Sequence, residues 1–142
     1  MDTTTHHVDL DPGLFRRLGR AAPPLGGLGE DLAVRHLVEE DGLTLVARNW
    51  QIRSGELRGE LDVVAVDEPS ALVVVCEVKT RRDAARFGGA VVAVTPRQQM
   101  RIRRLAGLFL REAALPYRRI RLDLVAIDVT RRPTLTHLEG AL

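Results

Sequence analysis

One cysteine, one tryptophan, one tyrosine and a single lysine occur in the 142 residues, and aromatics make up only 4%. The lone Cys76 cannot close an internal disulfide, which excludes a disulfide-stapled scaffold. So few aromatics argue against a stacking platform for single-stranded nucleic acid, and Trp50 and Tyr117 read as packing residues. The core must come from Val, Leu, Ile and Ala, which suits a sheet covered by helices. The longest apolar run, Ala71 to Cys76, is far too short to cross a bilayer, so no membrane partner is expected. The opening MDTTTHHVDLD lacks the basic start and apolar stretch of a secretory signal, and a cytoplasmic setting follows as the expectation. His6 and His7 stand in this polar terminus and are assigned no role.

What is present is enough for one domain: 142 residues with 45% hydrophobic content support one core. Residues 1–25 show no sustained periodicity and read as a flexible N-terminal arm, leaving 26–142 as the folded unit. The pattern from Leu28 to Asp41 is helical, with Gly42 where a left-handed residue closes a helix. Glu30 falls on the apolar stripe with Ala33, Val34 and Leu37, so a carboxylate faces the core. Leu43–Ile52 reads as a strand broken at Arg48-Asn49-Trp50, followed by the loop RSGELRG. Leu61–Val66 and Ala71–Thr80 read as a hairpin, joined by the polar turn Asp67-Glu68-Pro69-Ser70. Thr95-Pro96 opens a helix running to about Ala114, with Ile102, Leu105, Ala106, Phe109 and Ala113 as its stripe. Strands follow at Ile120–Val129 and Leu135–Leu138. The expected class is α/β, a mixed sheet flanked by helices.

The chemistry gathers at the hairpin. Alternation puts Glu77 and Lys79 on one face of their strand, with Val73 and Val75, and puts Asp62 on the face of Val64 and Val66, with Glu60 two residues before it. Carboxylates brought together at the end of a buried strand repel unless a proton or cation intervenes. Mg²⁺, or Mn²⁺, is the natural guest, held by Asp62 and Glu77 and by the backbone carbonyl of Val78. Such an ion would polarise a scissile phosphate and activate water, with Lys79 steadying the attacking water or the developing charge. The blander alternative is an ion pair in which Lys79 neutralises Asp62 or Glu77. Yet the chain uses arginine twenty times and lysine once, two residues after a glutamate at the end of an apolar strand. A compact ammonium is chemically distinct from a guanidinium fork.

GGLGEDLAVRHL, RNW, GELDVVAVD and VVVCEVKTRR together resemble the YraN-like uncharacterised protein family, over roughly Gly26 to the C-terminus. That family is similar to Holliday-junction resolvases and to the PD-(D/E)xK, restriction-endonuclease-like superfamily. The resemblance implies a mixed sheet between helices and a catalytic set of Asp62, Glu77 and Lys79, joined by Glu30 as a metal ligand. A lysine expected after Thr95-Pro96-Arg97 is replaced by Gln98, so Gln98 or Gln99 is left as the accessory group near the site. A symmetric homodimer would suit a branched substrate.

Charge points to the partner. From Lys79 to Arg132 there are fourteen Lys and Arg against four Asp and Glu, a net +10, which leaves −8 for the rest of the chain's +2. Arg81, Arg82 and Arg86, with Arg97, Arg101 and Arg104 on the second helix, would grip backbone phosphates of DNA without reading sequence. Two functions are thus expected as alternatives: a metal-dependent nuclease acting on DNA, including branched or junction DNA, and a non-catalytic nucleic-acid-binding or assembly module that keeps the fold.

Overall fold

A computed structural model describes residues 4–14, 25–54, 57–82 and 94–142. Strand β1 (Thr5–Asp9) comes first, then helix α1 (Leu25–Arg35), prolonged by a π-helical turn over His36–Glu40. Three long strands follow, β2 (Thr44–Ser54), β3 (Leu57–Asp67) and β4 (Leu72–Arg82). Helix α2 (Pro96–Ala113) leads to β5 (Arg119–Val129) and β6 (Thr134–Leu138). Among the described residues the sheet runs β1-β6-β5-β4-β3-β2, and only the β4–β5 pair is parallel. The architecture is the expected mixed α/β sheet, restriction-endonuclease-like in its layout.

Each helix covers one face. Ala33 of α1 and Leu37 of the π-helical turn pack with Val63, Ala65, Val74 and Cys76; Ile102, Leu105, Ala106 and Phe109 of α2 pack with Leu61, Val64, Val66, Val73 and Val75. Val73 to Cys76 are at most 2% exposed, as a strand covered on both sides requires. At roughly 1.5–3 kcal/mol per fully buried aliphatic side chain, these residues fix the register, because a one-residue slip would turn every one of them over.

Four expectations are corrected. Thr5–Asp9, placed in the flexible arm, pairs antiparallel with β6 as an edge strand, Thr5 opposite Leu138 and Asp9 opposite Thr134. Five polar-rich residues carry too little periodicity to announce a strand, and pairing with β6 supplies what propensity lacks. The segment read as the loop RSGELRG instead extends the hairpin, with β2 reaching Ser54 and β3 starting at Leu57. The first helix leaves α geometry after Arg35, although Gly42 does take the left-handed conformation, φ 70°. The apolar stripe of α2 ends at Phe109, which meets Trp50 edge-on at 5.3 Å, while Ala113 is exposed.

Candidate functional site

Besides the register shift between Leu45 and Ala47, strict alternation fails at the level of the β2–β3 hairpin that carries Asp62. Leu61 and Val64 lie in the same cluster under α2, three residues apart, and so do Ala47 and Trp50, which pair with Val64 and Leu61. Both strands therefore change phase between these pairs, where Asn49 takes a positive φ of 54°. Asp62 consequently does not share the face of Val64 and Val66, as expected from period two. The β3–β4 ladder pairs Val63 with Cys76, and one residue further the Asp62 carboxylate accepts the Val78 N–H at 2.9 Å. A side chain thus closes the sheet where two backbones would otherwise pair.

Glu30 reaches the same point from α1. Gly29 makes this possible, since a Cβ there would collide with the Thr80 side chain of β4, so α1 approaches the strand as closely as glycine permits. Oxygens of Glu30, Glu60 and Asp62 lie within 4.8 Å of one another, a set that could hold a cation. Burial first, and then the Glu77 charge, push the Asp62 carboxyl up to about 7, against the opposing Val78 N–H bond. Glu30 is raised as well, by burial and then by Asp62, with hydrogen bonding from Asn49 and the Arg48 charge opposing. Arg48 bridges Glu30 at 3.7 Å and also pairs with Asp31, and Gln51 donates to Glu60 at 2.9 Å.

Glu77, whose carboxyl acts on Asp62, also holds Lys79, Nζ to Oε1 3.1 Å, with both side chains about 15% exposed. The structure thus brings together Glu30, Glu60, Asp62, Glu77 and Lys79, with the Val78 backbone joined to them through its N–H. Arg48, Asn49 and Gln51 complete the surroundings. They lay in the segment RNWQ, where the apparent break in the strand was their only signal.

Arg81 and Arg82 are exposed just past Lys79, and Arg97, Arg101 and Arg104 are exposed on α2. The stem of Arg101 passes Gly59, whose missing Cβ would lie 3.5 Å from Arg101 Cδ, so this helix borders the strand bearing Glu60. Arg86 lies outside the described residues. Gln98 closes a capping box at the start of α2: its side chain accepts the Thr95 N–H at 3.0 Å while Thr95 Oγ1 accepts the Gln98 N–H at 3.2 Å. Gln99 remains half-buried one position on. A groove of about 870 Å³ that includes Arg103, Arg119 and Arg121 lies at the opposite end of β4, beside Leu72 rather than Lys79. No helix among the described residues is long and apolar enough to cross a membrane.

Fold and site together define the class, a restriction-endonuclease-like α/β protein with a cluster of carboxylates at the point where its central strands part. Residues 29–127 match the model of the Uncharacterised protein family UPF0102, and the chain belongs to that family. A UPF0102 protein of Mycolicibacterium gilvum is 48% identical over 118 residues, covering 82% of this chain and 91% of the relative. Those of Mycobacterium avium and Mycobacterium bovis are 46% and 43% identical, again over 82% of this chain and over 88% and 90% of theirs. The YraN-like resemblance read from the motifs is this family.

Proposed function

We propose that the protein is a metal-dependent nuclease that hydrolyses phosphodiester bonds in DNA. The observation that carries the reading is the placement of Asp62, at once bonded to Val78 N–H, touching Glu77 and within 4.8 Å of Glu30 and Glu60. An all-oxygen set of this kind matches Mg²⁺ or Mn²⁺. Asp62, Glu30 and Glu60 would hold the ion, with Glu77 able to join when it leaves Lys79. Once bound, such an ion supplies Lewis acidity toward a phosphoryl oxygen and a more acidic water.

The chain's own groups do the rest. Asp62, protonated in part near neutral pH without a cation, gives up that proton when a cation arrives. Lys79 brings the one ammonium of the chain to the edge of the carboxylates, where it would hydrogen-bond the attacking water or a phosphate oxygen. Arg81, Arg82, Arg97, Arg101 and Arg104 would hold the DNA backbone, giving affinity without base readout. Branched DNA bound by a symmetric dimer, in the cytoplasm, is the form of the proposal that the family resemblance favours.

One observation favours the alternative of a non-cleaving DNA-binding module: Glu77 and Lys79 satisfy each other directly. A cleavage assay on linear, nicked and four-way-junction DNA, with Mg²⁺ or Mn²⁺, separates the readings. The nuclease cuts only with metal, and Asp62→Asn and Lys79→Ala abolish cutting. Salt-dependent binding with no cutting by the wild type establishes the module instead.

A further inference from the structure

Three of the four histidines of the chain meet in one cluster remote in the sheet from β3, two of them buried and His6 partly exposed. His36 lies in the π-helical turn, His137 in β6 and His6 in β1. His137 is fully buried and His36 is 7% exposed. Their partner Asp41 caps the same turn.

The orientation of the His137 ring follows from its surroundings. His137 Nε2 lies 2.8 Å from Asp123 Oδ2. Asp123 also accepts both arms of the Arg121 fork at 2.9 Å and the Gly140 N–H at 2.9 Å, so both of its oxygens are engaged twice. Asp123 holds the His137 ring through Nε2 and turns Nδ1 toward His36 Nε2, the arrangement in which a carboxylate orients a metal-ligating histidine.

The atoms these residues present converge. His137 Nδ1 is 3.2 Å from His36 Nε2 and 3.2 Å from Asp41 Oδ2, and the last two are 3.8 Å apart. Asp41 Oδ2 is shut off from solvent and, among the described residues, makes no well-aligned hydrogen bond, while it approaches His137 Nδ1 at 3.2 Å. His6 Nε2 is likewise buried without a hydrogen bond, its ring stacked on His137 at 5.3 Å. Bonds of about 2.0–2.2 Å to nitrogen and oxygen, arranged tetrahedrally, require ligand atoms about 3.3–3.5 Å apart. The triangle of 3.2, 3.2 and 3.8 Å brackets that spacing.

We propose that His36, Asp41 and His137 form a second metal site, selective for Zn²⁺, with His6 beside it and Asp123 orienting His137. Two imidazoles and a carboxylate select Zn²⁺ over Mg²⁺, which prefers oxygen and keeps its waters. The ion ties the end of the α1 segment to β6, two elements separated by about a hundred residues, and its role is structural. This site shares no residue with Glu30, Glu60 and Asp62.

The full-length protein, stripped of metal and titrated with Zn²⁺ against a chromophoric chelator, binds one Zn²⁺ per chain at His36, Asp41 and His137. Asp41→Asn and His36→Gln, folded by circular dichroism, each weaken it at least about tenfold, and Asp62→Asn leaves it unchanged. Binding that is absent from the folded wild type, undiminished in both variants, or lost with Asp62→Asn overturns the proposal. Should either variant fail to fold, Co²⁺ in the wild type decides: an intense tetrahedral visible spectrum supports the site, and a pale octahedral one refutes it.

Discussion

Replacing Asp62 with asparagine should stabilise the metal-free protein at neutral and alkaline pH. The carboxyl rises from its ordinary 3.8 to about 7 on folding, so the folded chain holds a proton that the unfolded chain has released. The unfolded state then binds fewer protons between about pH 4 and 7, and stability falls as pH rises through that window and levels off above it. At about 1.4 kcal/mol per pH unit the full loss is at most about 4 kcal/mol. The asparagine amide would keep an acceptor for the Val78 N–H without the charge. Urea unfolding in chelator from pH 5 to 8 should show the wild type losing stability across this range, with Asp62→Asn flatter and more stable by about 2–4 kcal/mol at pH 8. Added Mg²⁺ should restore the wild type at pH 8 and leave the variant unmoved. If Asp62→Asn is no more stable than wild type at pH 8 without metal, the carboxylate is not held under strain and the reasoning fails.

Lys79→Arg should lose cleavage by about 10²-fold or more, because a guanidinium cannot replace a compact ammonium at a single point, and single-turnover rates on junction DNA would check it. Removing Arg97, Arg101 and Arg104 one at a time should weaken DNA binding whatever the sequence. Each should reduce the slope of log affinity against log salt by about 0.9, read by fluorescence anisotropy. Gly29→Ala should destabilise by about 1–3 kcal/mol in thermal or urea unfolding, since α1 must back away from Thr80. The same variant should cut more slowly, because Glu30 retreats with the helix.

Legibility in the sequence tracked how local each feature is. The run Leu72–Cys76 announced a central strand because burial on both faces needs uninterrupted apolar residues, and Glu77 and Lys79 inherited their face from its alternation. Asp62 was found by its neighbourhood in sequence but given the wrong face. Period two has no means of anticipating a positive φ at Asn49 on the facing strand. Gln98 read as an accessory to the site because spacing shows where a residue lies on a helix, whereas only the backbone shows that Thr95 needs its side chain. The histidine cluster was invisible. His6, His36 and His137 come from three elements, and nothing short of the pairing of β1 with β6 puts them together.

The single parallel pairing, β4 with β5, also orders the assembly of the domain in time. Asp62, Glu77 and Lys79 all belong to a meander of adjacent antiparallel strands, closed by short turns. Leu72 finds its partner Arg119 only forty-seven residues later, across α2. Short closures cost less chain entropy and precede long ones, so the carboxylates are gathered before the strand that buries their neighbours has arrived. During synthesis the chemistry-bearing hairpin emerges first and waits, with one edge of β4 open, for a strand not yet made.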